Sequence, residues 1–82
     1  MKYEFRPRGV CSQKITFEIE DGIVQNVAFS GGCHGNLQGI AKLVEGMPKD
    51  EVIKRLSGIR CGFKPTSCPD QLAQALINAA SE

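Results

Sequence analysis

With 82 residues, the chain has room for one domain and one modest core, so a single domain over residues 1–82 is expected. A hydrophobic fraction of 41% and a charged fraction of 23% belong to a globular protein rather than a disordered tail. The net charge of +1 supplies no strong field for nucleic acid or an anionic membrane surface, and neither is expected as a partner.

The β-part is expected over residues 1–30 and the helical part over 31–82. Tyr3 to Arg6 is a short β-prone run that Pro7 closes. From Lys14 to Glu20 the alternation is clean, with Ile15, Phe17 and Ile19 on one face and Thr16, Glu18 and Glu20 on the other. A second alternating run follows Asp21-Gly22 and places Ile23, Val27 and Phe29 together. A two-residue Asp21-Gly22 turn would pair Ile19 with Val24 and leave Ile23 on the polar face. A three-residue loop, Glu20-Asp21-Gly22, pairs Ile19 with Ile23 and Ile15 with Val27, and sets Cys11 opposite Gly31. The second register keeps the apolar faces together and is the one expected.

Gly31-Gly32 ends the strand. Asn36 to Glu45 reads as a helix with Leu37, Ile40, Ala41 and Val44 on one stripe and Gly46 at its end. Pro48 opens a second helix, with Asp50 and Glu51 in its first turn, Val52, Ile53 and Leu56 on its apolar face and Gly58 closing it. A third helix starts around Cys68-Pro69 and carries Leu72, Ala73, Leu76, Ile77 and Ala80. Strands first and helices afterwards predict an α+β fold, a three-stranded antiparallel sheet with three helices packed on one face.

Lys2, Arg6, Arg8 and Lys14 give the first strands a local positive excess that reads as a solvated face. The segment MKYEFRPRGV lacks the apolar stretch of a signal peptide, and no apolar run reaches the length of a membrane span. The expected compartment is the cytoplasm, where thiols stay reduced.

Four cysteines in such a chain call for metal ligation or thiol chemistry rather than disulfides. Their spacing, Cys11-x21-Cys33-x27-Cys61-x6-Cys68, lacks the short knuckles of a zinc finger. The metal reading rests instead on their places in the expected fold. Cys11 and Cys33 share one end of the hairpin. Cys33 precedes the first helix and Cys68 opens the third, where the positive end of the helix dipole favours an anionic ligand. None of the four falls in an expected apolar stripe, the usual place of an inert buried cysteine. His34 reads as a loop histidine and is left out, since four thiolates already satisfy a tetrahedral ion. Ser30 to Gly35 lacks the lysine and spacing of a phosphate-cradling loop, and no catalytic triad, paired carboxylates or flavin signature is present.

Thr66-Ser67-Cys68-Pro69-Asp70 spells the pentapeptide of the TSCPD domain. The strings GGCHGNLQGIAKLVEGMPKDEV and LSGIRCGFKPTSCPDQLAQAL resemble its small stand-alone members with four cysteines, over nearly the whole chain. That resemblance implies a metal site built from Cys11, Cys33, Cys61 and Cys68. It also implies kinship with domains at the C-terminal end of ribonucleotide reductases, especially cobalamin-dependent ones. The chain is far too short for their catalytic barrel. The implied link is therefore an accessory or redox role through a ribonucleotide reductase partner, without enzyme activity of its own.

A second resemblance is to the U-type iron–sulfur-cluster assembly scaffolds, a SufE/NifU-like fold. Cys11, Cys33 and Cys68 match their three ligand positions in order, and SCPDQLAQALINAA is similar to their terminal helix. This implies, as an alternative, a scaffold for cluster or sulfur transfer with cluster-assembly proteins as partners. Gln13 stands where the scaffolds carry an aspartate, Ser67 where they carry a histidine, and Cys61 is an added thiol. These departures imply a closed, stable site, with zinc favoured over an iron–sulfur cluster.

Overall fold

A computed structural model describes residues 2–7, 12–31, 34–60, 62–63 and 65–80. Three strands, β1 (Lys2–Phe5), β2 (Ser12–Glu20) and β3 (Ile23–Gly31), precede three helices, α1 (His34–Val44), α2 (Lys49–Leu56) and α3 (Cys68–Ala80). The strands form one antiparallel sheet in the order β1-β2-β3. The expected α+β architecture is the observed one.

The register of the hairpin differs from the expected one. Asp21 and Gly22 both take left-handed backbone, φ 52° and 77°, and form a two-residue turn that pairs Glu20 with Ile23 and Ile19 with Val24. Such a turn matches the right-handed twist of the strands, and Asp-Gly is among the dipeptides that tolerate positive φ at both positions. Uncorrected, this register would send Val27 and Phe29 to the solvent side.

A bulge prevents that outcome. Between Thr16 and Glu18 on β2, the partners on β3 run from Ala28 to Gln25, three steps against two. Asn26 lies in this interval with φ 53°, a conformation that asparagine tolerates better than most residues. Beyond the bulge Ile15 pairs with Phe29, so Val24, Val27 and Phe29 share the apolar face, and Ile23 does not. Ile23 instead bridges Pro48 at the edge. A second irregularity, between Ser12 and Lys14, sets Ser12 opposite Gly31, where Cys11 was expected.

The apolar face of the sheet contributes Ile15, Phe17, Val24 and Val27 to the core, and the helices contribute Val44, Val52, Leu72, Ala75 and Leu76. Ile15, Phe17, Leu72 and Leu76 are essentially fully buried. Each large side chain of this kind contributes about 1.5–3 kcal/mol. Tyr3 lies opposite Phe17 and stacks on it with ring centroids 5.4 Å apart, which ties β1 to the same core.

The connection between α1 and α2 covers the start of the β3 edge. Val24 N–H donates to the Met47 carbonyl and Gly46 N–H to the Val24 carbonyl, both at 2.8 Å, and Lys49 N–H donates to the Gly22 carbonyl at 2.8 Å. These bonds occupy backbone groups that an edge strand would otherwise present to other chains.

Helix α3 also departs from its expected stripe. Its buried residues include Cys68, Leu72, Ala73, Ala75 and Leu76, with Ala79 packed against the core, while Ile77 is 45% exposed. The core therefore meets the face through positions 68, 72, 75, 76 and 79, a 3.6-residue period that leaves Ile77 outside.

Candidate functional site

The start of α3 is held by a buried polar network. The Ser67 carbonyl accepts the Gln71 N–H at 2.8 Å, and its hydroxyl oxygen accepts the Asp70 N–H at 3.2 Å. Ser67 is thus the N-cap, Cys68 the first helical residue and Pro69 the second, so the helix starts around Cys68-Pro69 as expected.

Asp70 organises the surroundings. Its Oδ2 accepts the Thr66 hydroxyl and, at 2.9 Å, the Gln74 amide, while its Oδ1 accepts the Gly58 N–H at 2.7 Å. Gln71 Nε2 donates to Thr66 Oγ1 at 2.9 Å. Thr66, Ser67, Asp70 and Gln71 are all buried, and among the described residues no buried side-chain nitrogen or oxygen lacks a partner. Burial pushes the Asp70 carboxyl up, but the bonds from Thr66, the Gly58 N–H and Gln74 together outweigh it and hold the pKa below its ordinary value. An anionic carboxylate in the first turn also complements the helix dipole.

Sequence reasoning overlooked this network, although part of it was legible. Ser67-Cys68-Pro69-Asp70 has the spacing of a capping box, a hydroxyl at the cap and an acid three residues later. The bond from Gly58, twelve residues before Asp70, leaves no local pattern to read.

Of the four expected ligands, Cys68 lies within the described residues, and Cys11, Cys33 and Cys61 lie outside them. Cys68 is 8% exposed and continues the apolar stripe of Leu72 and Ala75, contrary to the expectation that no cysteine would fall in one. The helix packs its first turn inward because Ser67 and Asp70 satisfy the buried polar groups there, which lets the thiol sit on the core side. Among the described residues no group of three or more His, Cys, Asp or Glu side chains is placed to hold a metal ion.

The expected hairpin end is seen from its neighbours. Ser12, next in sequence to Cys11, pairs with Gly31, two residues before Cys33, and α1 begins at His34. A groove of about 460 Å³ runs between β3 and α1, lined by Asn26, Phe29, Leu37, Ala41, Lys42 and Glu45 among others. Asn26 N–H donates to Glu45 Oε1 at 2.8 Å within it. Its described lining offers no thiol or imidazole.

The sequence matches the profile of the TSCPD domain over residues 1–80. The chain belongs to the TSCPD-domain family. No curated protein and no solved structure matches it significantly. In this TSCPD domain Thr66, Ser67 and Asp70 of the eponymous pentapeptide build the helix start, Pro69 supplies a residue that needs no hydrogen-bond partner there, and Cys68 is buried on the core side. Among the described residues no helix is long and apolar enough to cross a membrane.

Proposed function

We propose that this TSCPD domain is a metal-binding module whose ligands are Cys11, Cys33, Cys61 and Cys68, with zinc the favoured ion and an iron–sulfur cluster the alternative. The observation that carries the reading is the pairing of Ser12 with Gly31. It brings the chain just after Cys11 and the chain just before Cys33 to one end of the hairpin. Cys11 and Cys33, which flank the paired strands in sequence, Cys61, between α2 and α3 in sequence, and Cys68, the first residue of α3, would form a donor set suited to a tetrahedral thiophilic ion. Bound there, the ion would cross-link the sheet to the last helix and contribute to folding stability, because the unfolded chain has no preformed site. The reducing cytoplasm is the compartment in which such thiols remain available.

Elemental analysis of protein purified without added metal tests the reading. One zinc per chain supports the favoured form, and iron with acid-labile sulfide supports the cluster. Single Cys→Ser changes at the four positions should each lower metal content and thermal stability. A chain without metal, whose four Cys→Ser variants also melt like the parent, refutes it.

The burial of Cys68 favours one second reading, in which this thiol is an inert part of the core. On that account Cys68→Ser destabilises the protein equally with and without a strong chelator, while Cys11→Ser and Cys33→Ser have no effect. On the metal account the chelator abolishes most of the difference between parent and variants.

A further inference from the structure

We propose that the open stretch of the β3 edge, with α1 alongside it, is a docking groove for an extended acidic segment of another protein. The segment would add to the sheet as a fourth strand. The proposal is independent of metal binding, since its residues lie in the three strands, in α1 and in the connection that follows α1.

The two edges of the sheet are guarded unequally. Along β1 the exposed charges of Lys2 and Glu4, followed by Arg6 and Pro7, discourage pairing with another chain. The β3 edge is closed at its start, where both backbone groups of Val24 are taken by Gly46 and Met47. At Asn26 the Glu45 carboxylate accepts the backbone N–H. From Val27 to Gly31 the strand carries no charge and no proline. Among the described residues no backbone bond joins this stretch to anything but β2.

The register shows which groups are left over. Glu20 and Ile23 close the two-residue turn, so the even-numbered residues of β2 bond to β3 and the odd-numbered ones to β1. Ala28 and Ser30 thus bond to Thr16 and Lys14. Phe29, opposite Ile15, turns its N–H and carbonyl to the open edge. A donor and an acceptor on one residue, at the edge of a sheet, are matched by the backbone of another strand.

Beside this edge runs the groove of about 460 Å³ between β3 and α1. Side chains of a strand alternate between its faces, so every second residue of an added strand would point to the helix side. There Phe29, Leu37 and Ala41 offer an apolar floor.

Charge decides the occupant. Lys42 and Glu45 are the charged residues of the described lining. Glu45 already receives the Asn26 N–H, whereas Lys42 is exposed and joins no ion pair among the described residues. An acidic side chain on the incoming strand complements it. A second copy of this chain fits less well. Its β3 has no acidic residue, and its β1, which carries Glu4, has Tyr3 and Phe5 packed against its own core.

The test selects random linear heptapeptides, displayed on phage, against the intact chain. Enriched sequences are then made synthetically and titrated into isotope-labelled protein. They should share an acidic residue among alternating apolar ones, and shift amide signals over Val27–Gly31 and Leu37–Glu45. Methylating the backbone nitrogens of alternate peptide residues should weaken binding about tenfold, through two lost hydrogen bonds, while methylating the intervening set leaves it unchanged. Lys42→Glu should weaken the acidic peptides about fivefold, the scale of an exposed charge reversal. Lys54→Glu, an exposed change on α2, should have no effect. Failure to enrich any peptide overturns the proposal, as do signal shifts elsewhere, indifference to methylation or equal losses in the two lysine variants. A chain that sediments as a dimer and protects the Val27–Gly31 amides from exchange assigns the edge to a second copy and overturns it as well.

Discussion

The hairpin and the start of α3 solve the same problem, placing a cysteine-bearing end of chain, by different means. The hairpin does it with backbone: a two-residue turn at Asp21-Gly22, a bulge at Asn26 and a terminal pair, Ser12 with Gly31. The helix start does it with side chains: a buried acid, two hydroxyls and two amides bonded to one another. Backbone devices tolerate most side-chain changes that respect φ. A buried polar network is less forgiving, because removing one member leaves its partners without bonds.

The largest expected effect is therefore at Asp70. Asp70→Ala strands the buried Thr66 hydroxyl, removes the acceptor of the Gly58 N–H and the Gln74 amide, and should cost about 3 kcal/mol, since bonds to a charged acceptor lie at the upper end of the range. In a domain of this size that lowers Tm by about 12–24 °C in a thermal melt. A loss below 1 kcal/mol would mean that the network reorganises around the gap.

Asn26→Val comes next. A β-branched residue at the left-handed position of the bulge should cost about 2 kcal/mol in urea denaturation. Asn26→Gly separates backbone from side chain: it relieves φ but loses the bond from Asn26 Nδ2 to Glu18, and should lie close to the parent. Equal losses in both variants would assign the bulge to that side-chain bond rather than to backbone conformation.

Ser67→Ala removes the cap of α3 and should cost about 1 kcal/mol, with Ser67→Asp restoring most of it. The comparison between the two regions sharpens here. A cap behaves like an ordinary local bond, whereas Asp70 spans two helices.

The smallest effect is on pH dependence, measured on chelator-treated protein. The folded pKa of Asp70 is lowered, so between the folded and unfolded values the unfolded chain binds more protons and stability rises with pH. The contribution is complete above the ordinary carboxylate range, near pH 4, and is lost as pH falls through the lower folded value. Asp70→Asn should flatten this part of the acid limb while leaving the slope above pH 5 unchanged. An identical acid limb in parent and variant would place the linkage on other carboxylates.

Local chemistry was enough to determine the order of elements. Alternation over Lys14–Glu20 marks a half-buried strand in any context, and Pro69 after a hydroxyl-rich pair marks a helix start, because both signals act within one turn or one pleat. The family was also legible, since Thr66 to Asp70 is a contiguous string. The register was not. Ile23 and Val24 are both apolar neighbours, either could face the core, and the choice depended on the twist favoured by the Asp21-Gly22 turn and on a bulge that restored the face farther along. The stripe of α3 was settled in the same way. Cys68 faces inward and Ile77 outward because of where the sheet and α2 lie, and the polar groups beside Cys68 could be buried only because Gly58, distant in sequence, meets Asp70. Tertiary structure decided those features, since each depends on which of two locally acceptable conformations leaves apolar area covered and buried polar atoms bonded.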